Sequence, residues 1–266
     1  MSLDVRRIAR ELQRQHRDHE DFQAPKTAFG IATLSDAYDV QDEFVARRAA
    51  ETGAARAGYK IGLTTARMQA FCGIDHPIAG VVLADRVGAS GAVLDPKSFG
   101  RLGIEFEICV RLGRDLPGGE LPYMAGPDRL GDVAAAVDSV CAAVEVIDDR
   151  NADYAALDAI SIVADNSWNA GIVLGPFRSP DLDLAAAAGT ATRNGEAIGT
   201  GTGADVLGHP LAALAWLAYH LSRRGGQLRA GDLVMTGSMV TTRFPAAGEH
   251  YRFDVAGLAA VEVAIA

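Results

Sequence analysis

The chain has 266 residues, of which 49% are hydrophobic, and it carries a formal net charge of −9. The large apolar fraction supports a sizeable core and excludes an intrinsically disordered protein. The arginines are scattered, so the chain offers no basic stripe with interleaved aromatic residues, and we expect no nucleic-acid partner.

No apolar run approaches the roughly 20 residues that a membrane helix needs, so no membrane partner is expected either. The first residues lack the apolar stretch and cleavage site of a secretory signal. The three cysteines, Cys72, Cys109 and Cys141, are widely spaced, which argues against both a disulfide framework and a cysteine-based zinc site. These features predict a cytoplasmic protein.

The beginning of the chain has helical patterning, with apolar residues three or four positions apart among charged ones. Capping residues and glycine stops set the bounds of the helices. The predicted helices run from Val5 to about His19, from Ser35 or Asp36 to Gly53, and from Thr65 to about Gly73.

From about Tyr59 the pattern changes to short apolar strands punctuated by glycine. The strand candidates are Tyr59–Leu63, Gly80–Leu83, Ile104–Leu112, Gly171–Leu174, Leu233–Thr236, Tyr251–Val255 and Ala260–Ile265. Asn194-Gly195 predicts a hairpin turn, and helices are predicted over Leu130–Ala143 and from Pro210 to Gly225. We therefore predict an α+β chain, with a helical N-terminal segment (1–57) and a β-rich catalytic part (58–266) forming one cooperative unit.

Two glutamates alternate with apolar residues on one predicted strand. Ile104, Phe106 and Ile108 share one face, so Glu105 and Glu107 share the other. A solvated strand face is one interpretation of this pair. The other is a cation site, because neighbouring carboxylates repel each other unless they share a cation, and oxygen ligands suit Mg²⁺ or Mn²⁺.

A third carboxylate, Glu145, stands alone in an apolar stretch. Burying an ionised carboxylate without a partner is costly, so Glu145 is expected to be protonated, paired or coordinating. A salt bridge to Arg150 and a place in a metal site with Glu105 and Glu107 are both open at this point.

Four other polar residues are candidates for the chemistry. Lys60 lies in an apolar strand candidate, where it is either solvated or close enough to a metal to bind a carboxylate or carry a proton. Ser161 and Asn166 belong to a polar cluster that forms either a capped turn or hydrogen bonds to substrate. His76 precedes a proline and is a candidate substrate contact. No phosphate loop or nucleophile elbow accompanies them.

Five segments in order resemble the 2-keto-4-pentenoate hydratase / 4-oxalocrotonate decarboxylase family of the fumarylacetoacetate hydrolase superfamily. They are Tyr-Lys-Ile-Gly-Leu-Thr-Thr (59–65), Glu-Phe-Glu (105–107), Ala-Val-Glu-Val-Ile-Asp-Asp-Arg (143–150), Val-Ala-Asp-Asn (163–166) and Ala-Gly-Asp-Leu-Val-Met-Thr-Gly-Ser (230–238).

The resemblance implies a β-rich roll with a helical N-terminal part, assembled into homo-oligomers that can associate with a partner enzyme. It assigns Glu105, Glu107 and Glu145 to a Mg²⁺ or Mn²⁺ site. It places Lys60 in the active site and Asn166, with Ser161, near the substrate. The implied substrate is a small 2-oxo acid.

The implied reaction is hydration of a 2-hydroxypenta-2,4-dienoate in aromatic meta-cleavage catabolism, with 4-oxalocrotonate decarboxylation as the nearest rival. One departure affects this choice, because Ile78 stands where many hydratases carry an aspartate suited to acid–base work. Acylpyruvate C–C hydrolysis and a non-catalytic partner subunit are further alternatives. The presence of three carboxylates and Lys60 favours an enzyme over a scaffold.

Overall fold

The computed structural model describes residues 3–116 and 130–266. Its helices are α1 (Val5–Arg17), α2 (Pro25–Phe29), α3 (Leu34–Thr52), α4 (Ala66–Phe71), α5 (Leu130–Ala134), α6 (Ala159–Ala164) and α7 (Pro210–Arg223). Its strands are β1 (Arg56–Gly62), β2 (Ile78–Leu83), β3 (Val87–Ala89), β4 (Ala92–Leu94), β5 (Leu102–Leu112), β6 (Val137–Asp148), β7 (Asn169–Leu174), β8 (Ala188–Arg193), β9 (Glu196–Thr202), β10 (Leu233–Arg243), β11 (His250–Val255) and β12 (Val261–Ile265).

The three helices predicted at the start of the chain all form. The Asp4 side chain accepts the Arg7 N–H at the start of α1. The predicted cap of α3 at Ser35 or Asp36 is wrong, because Thr33 is the N-cap and accepts the Asp36 N–H; α3 ends at Gly53 in the left-handed conformation, as expected for a C-terminal glycine. Helices α1, α3 and α6 pack together, and α3 and α6 also contact β2. This helical layer therefore rests on one edge of the larger sheet.

That larger sheet has seven strands in the order β2-β1-β10-β5-β6-β7-β3. Strand β2, at one edge, also contacts β7 near the opposite edge, so the sheet curls into a roll. An apolar cluster that includes Cys109, Cys141 and Met235 forms a second, smaller core separate from the main one. The alternation of β5 gives its two faces different environments, the main core on one side and the candidate site on the other.

A second sheet, with the order β4-β12-β11-β8-β9, packs against the outside of the roll. The ring of Phe106 lies 6.3 Å from that of Tyr251 and 5.4 Å from that of Phe253, measured between centroids. The predicted hairpin turn joins β8 to β9, with positive φ at both Asn194 and Gly195. The predicted α+β architecture, with helices first and a β-rich roll after them, is confirmed.

The prediction of a helix over Leu130–Ala143 is wrong. Only Leu130–Ala134 is helical, and from Val137 onwards the segment lies in β6, between β5 and β7. A central strand is covered on both faces and so loses the polar–apolar alternation that identifies a strand. No helix in the described residues combines the length and the apolar character needed to cross a membrane.

Candidate functional site

Three carboxylates converge on the inner face of the roll. Glu105 on β5 lies directly opposite Glu145 on β6 in the antiparallel register, and Glu107 follows on the same face of β5. One oxygen from each carboxylate lies within 4.8 Å of the others. Glu107 and Glu145 are fully buried, whereas Glu105 is partly exposed. The cluster therefore has a closed end and an end that opens towards solvent.

The two buried carboxylates each use one oxygen in a hydrogen bond and leave the other free. Glu145 Oε1 accepts from Asn169 Nδ2 at 3.0 Å, and Glu107 Oε2 accepts from the backbone N–H of Gly237 at 2.8 Å. Glu107 Oε1 and Glu145 Oε2 are buried with no hydrogen-bond partner among residues 3–116 and 130–266. Unpartnered buried acceptors are rare because they are costly. The convergence of the three carboxylates provides ligands for a hard cation.

Two of the groups that orient the carboxylates lie on β10, where the strand is irregular. The register of β10 against β5 shifts around this point, as bulges near functional sites often do. Gly237 has φ +122°, and a Cβ there would come within 2.5 Å of Thr64 Cγ2. Only glycine therefore fits where the N–H is directed at Glu107. Further along the strand, the Thr242 hydroxyl donates to Glu105 Oε1.

Lys60 places a positive charge against the carboxylate cluster. It lies on β1, with a side chain only 6% exposed and its Nζ 3.2 Å from Glu145 Oε1. Burial lowers the pKa of Lys60, but the three carboxylates raise it by more, Glu145 most strongly, so the net pKa lies above the ordinary value for lysine. Lys60 is therefore an ammonium ion in this environment.

The cluster still has a surplus of negative charge. Burial raises the pKa of Glu145 to about 7, with a further contribution from the charge of Glu105, although Lys60 and Asn169 oppose the shift. Burial, followed by the charges of Glu145 and Glu105, raises the pKa of Glu107 well above its ordinary range. Protons balance the charge in the metal-free site, and a divalent cation would replace them. The donor set and its charge fit a divalent metal.

Ile78 forms an apolar wall beside Lys60. It pairs with Gly62 across β1 and β2. A Cβ on Gly62 would lie 3.4 Å from Lys60 Nζ and 3.5 Å from Ile78 Cγ1, so both side chains flank this glycine. The position where the resemblance expects an aspartate is therefore next to the lysine and fully buried, and it carries no ionisable group.

The other predicted site residues make different contacts. Asn166 lies beside β2, where its amide accepts from the Val81 N–H at 2.8 Å and donates to the Val81 carbonyl at 2.9 Å. The Ser161 hydroxyl accepts from the Lys26 N–H at 3.1 Å, and the His76 ring stacks on Trp216. Within residues 3–116 and 130–266, none of the three predicted residues hydrogen-bonds to the carboxylate cluster, and their roles stay predictions.

Of the two alternatives for Glu145, a salt bridge to Arg150 and a place beside Glu105 and Glu107, the structure shows the second. Arg150 pairs with Asp165 instead, at 2.6 Å, while Glu145 pairs with Lys60. Sequence reasoning missed Asn169, Gly237 and Thr242, the groups that orient the carboxylates. Gly237 lies in one of the five family-like segments, so its place in that segment was the available signal.

Comparisons with known proteins identify the family and the fold. A family model described as fumarylacetoacetate (FAA) hydrolase C-terminal matches residues 63–266. A 4-oxalocrotonate decarboxylase of Pseudomonas putida is 37% identical over 232 residues, which cover 86% of this chain and 84% of the relative. A 2-keto-4-pentenoate hydratase of Burkholderia vietnamiensis is 36% identical over 206 residues, covering 77% of this chain and 76% of the relative.

A similar solved structure is that of 4-oxalocrotonate decarboxylase from Pseudomonas putida G7, complexed with magnesium and adipate. It superposes with a TM-score of 0.89 at 34% identity, covering 98% of this chain and 97% of that chain. The similarity includes the helical N-terminal part as well as the roll.

Proposed function

The chain belongs to the fumarylacetoacetate hydrolase family, and from this premise we propose that it is a metal-dependent lyase acting on a small 2-oxo acid. The reaction we propose is addition of water to a substrate of the 2-hydroxypenta-2,4-dienoate type, giving a 4-hydroxy-2-oxo acid. The observation that carries the proposal is a pair of buried oxygens, Glu107 Oε1 and Glu145 Oε2, that have no hydrogen-bond partner in the part of the chain that the structure describes. Both belong to the three-carboxylate cluster next to a buried lysine.

Glu105, Glu107 and Glu145 would hold the cation. When bound, a divalent cation supplies Lewis-acid stabilisation of negative charge on the 2-oxo group. Asn169 and the Gly237 N–H each hold one oxygen of a carboxylate, and such hydrogen bonds orient a carboxylate for metal binding.

Lys60 is proposed to hold a proton at Nζ and to deliver it to, or remove it from, the carbon skeleton of the substrate. Its burial, and the apolar side chain of Ile78 beside it, keep bulk water away from this nitrogen. Asn166 and Ser161 are proposed to hydrogen-bond to the substrate, and His76 to contact it, as the resemblance and the sequence suggest.

Decarboxylation of 4-oxalocrotonate is the second candidate, and Ile78 is the observation that favours it. Water addition needs a group that manages the proton of the attacking water, and isoleucine cannot do so. Loss of CO₂ needs no activated water, and an apolar wall favours conversion of a carboxylate into a neutral product. Similarity to a decarboxylase over nearly the whole chain also supports this candidate.

Several finer properties complete the proposal. The cation is proposed to be Mg²⁺ or Mn²⁺, because a site made only of carboxylates suits hard cations. The active form is proposed to be a cytoplasmic homo-oligomer, which can associate with a pathway partner enzyme. The support for assembly is the family resemblance, and the support for the compartment is the presence of three buried free cysteines.

Assays of the metal-loaded protein on two separate substrates test the proposal. Hydration of 2-hydroxypenta-2,4-dienoate, abolished by a chelator and restored by Mg²⁺ or Mn²⁺, is the expected result. Release of CO₂ from 4-oxalocrotonate without hydration of the dienoate would select the second candidate. Absence of both metal-dependent reactions would refute a lyase of this type.

A further inference from the structure

A run of three left-handed residues leads directly to a residue that touches the carboxylate cluster. Asn166, Ser167 and Trp168 have φ angles of +50°, +50° and +59°. This conformation is unfavourable for most residues except glycine and asparagine, and above all for a bulky residue such as tryptophan. Elsewhere in residues 3–116 and 130–266, non-glycine residues adopt it singly or, at 150–151, as a pair. Strained backbone persists only where its surroundings hold it, and it is concentrated at functional sites.

Side-chain hydrogen bonds hold this turn, residues 166–168, against β2. Ser167 Oγ donates to the Ala79 carbonyl at 2.9 Å, and the Asn166 amide bonds to both backbone groups of Val81. Between these two residues of β2, a Cβ on Gly80 would come within 2.7 Å of the Asn166 carbonyl oxygen. The turn therefore lies directly on β2, at a position where only glycine fits.

Buried ion pairs and aromatic packing fix the two ends of the turn. Asp165, just before it, is bonded to both His16 and Arg150. At the other end the Trp168 side chain is buried, with the ring of Phe22 5.4 Å away between centroids, edge to face. The surrounding structure therefore imposes a backbone conformation that these residues would not adopt by themselves.

The residue that follows the turn is Asn169, which holds Glu145 of the carboxylate cluster. Asn169 begins β7 and donates from Nδ2 to Glu145 Oε1 at 3.0 Å. The pairing of β7 with β6 is irregular here, with a register shift between Val146 and Ile147. Because regular strand pairing is interrupted at this point, the position of the Asn169 side chain depends on the turn before it.

We propose that Ser167 is a positioning residue for the metal site, because it holds the turn against β2 and thereby places Asn169 Nδ2 on Glu145. This inference rests on the proposed function, since the carboxylate cluster must bind a divalent cation. The Ser167 hydroxyl bonds to the Ala79 carbonyl and not to a carboxylate, so it acts through Asn169. Groups that orient a metal ligand from outside the site affect metal affinity without touching the metal.

Loss of the Ser167 hydroxyl should change metal affinity more than stability. The Ala79 carbonyl also accepts from Gln41 Nε2 at 2.9 Å, so no buried acceptor loses its last partner when the hydroxyl is removed. Ser167→Gly also relieves the unfavourable backbone conformation, since glycine adopts positive φ without strain. The lost bond and the relieved strain have opposite effects on stability, so the Tm of Ser167→Gly should stay close to that of the unmodified chain.

Titration with Mn²⁺ of Ser167→Gly and of Ser167→Ala, which loses the hydroxyl alone, tests the inference. Both variants should bind Mn²⁺ about tenfold more weakly than the unmodified chain, the lower end of the range for groups that orient a ligand. Asn194→Gly is the matched control, because Asn194 is also left-handed, with φ +51°, and its side chain accepts one hydrogen bond, from the His250 N–H. This residue lies in the exposed β8–β9 hairpin, and its variant should bind Mn²⁺ as the unmodified chain does. Unchanged affinity in both Ser167 variants, or an equal loss in the control, would overturn the inference.

A double variant shows whether Ser167 acts through Asn169. Ser167→Gly, Asn169→Ala should bind Mn²⁺ no more weakly than Asn169→Ala alone, because the amide that the turn positions is already absent. A further tenfold loss in the double variant would mean that Ser167 acts by another route, and the inference would be wrong. The unmodified chain separates this inference from the proposed function. If it binds Mn²⁺ and the Ser167 variants bind equally well, only the role of Ser167 fails; if it binds no Mn²⁺, the proposed function fails too.

Discussion

Two groups of buried charges in this molecule have opposite balances. In one, which we call the ion cluster, Asp165 accepts from His16 Nε2 and from Arg150 Nη2, each at 2.6 Å. Burial opposes ionisation of Asp165, but His16 and Arg150 outweigh it, and the pKa of Asp165 falls below its ordinary value. In the carboxylate cluster three acids face a single lysine, and the pKa values of Glu107 and Glu145 rise.

The ion cluster uses buried charges to stabilise the fold, whereas the carboxylate cluster uses them for function. Both oxygens of Asp165 are bonded, one to His16 and the other to Arg150, so this carboxylate is satisfied without a ligand. In the carboxylate cluster two oxygens have no partner among the described residues, and one lysine faces three carboxylates. An excess of buried negative charge is costly, so the carboxylate cluster is suited to bind a cation that the chain itself does not supply.

The largest effect is expected from Lys60→Met, which removes the only lysine ion-paired with the carboxylate cluster among the described residues. Turnover should fall about 10²–10⁴-fold, the usual contribution of a proton-transferring group. The fold should survive, since methionine is close in length. The measurement is kcat at saturating Mg²⁺, with the exposed Lys97→Met as the control. Unchanged kcat and affinity in Lys60→Met would make the lysine merely structural.

Asp165→Asn should affect stability instead of metal binding. It leaves Arg150 buried without its carboxylate, and breaking such a pair costs about 3–5 kcal/mol. Denaturant unfolding of the metal-free chain measures this loss, and Mn²⁺ affinity should not change. Glu145→Gln is the matching variant in the carboxylate cluster. It should leave the free energy of unfolding of the metal-free chain unchanged or raise it. If Glu145→Gln destabilised the metal-free chain and Asp165→Asn did not, the distinction between the two clusters would be wrong.

Asn169→Ala should weaken metal binding without abolishing it. Asn169 holds Glu145 Oε1 by a hydrogen bond, and losing a group that orients a ligand usually costs about 10–100-fold in metal affinity. Titration with Mn²⁺ gives the dissociation constant. Asn151→Ala, on the exposed surface, should bind as the unmodified chain does; an equal change in both variants would argue against the orienting role.

The smallest effect is a pH dependence of metal-free stability. Glu145 has a folded pKa of about 7, above its unfolded value near 4.5, so its protonated form stabilises the fold. That contribution is fully present below about pH 4.5 and is lost as pH rises through about 7, by at most about 1.4 kcal/mol per pH unit. The increase in Tm on adding Mg²⁺ should therefore be larger at pH 8 than at pH 5.5. An increase independent of pH would contradict the proton–metal exchange.

Local sequence patterns were sufficient to predict part of the site. Alternation along β5 correctly placed Glu105 and Glu107 on one face, and the apolar surroundings of Glu145 correctly indicated a buried carboxylate. The partner of Glu145 could not be predicted, since Arg150 is near in sequence whereas Lys60 reaches it only through the order of strands β1, β10, β5 and β6. Long-range pairing of this kind leaves no trace in local periodicity.

The wrong helix over 130–143 has a related cause. Its alanines favour a helix, and a strand buried on both faces has no alternation to contradict that interpretation. The groups that orient the carboxylates were missed for a different reason. Gly237 acts through its backbone N–H, and Thr242 reaches Glu105 only because β10 shifts register. Such contacts depend on the folded path of the chain.

The central claim is that Glu105, Glu107 and Glu145 together hold one divalent cation. Titration with Mn²⁺ followed by electron paramagnetic resonance tests it most directly, using the unmodified chain and the Glu107→Gln and Glu145→Gln variants at pH 8. We expect one Mn²⁺ per chain in the unmodified protein, and affinity weakened by about 10²-fold or more in each variant, because each loses a buried charged ligand. Binding of one Mn²⁺ with unchanged affinity in both variants would contradict the account.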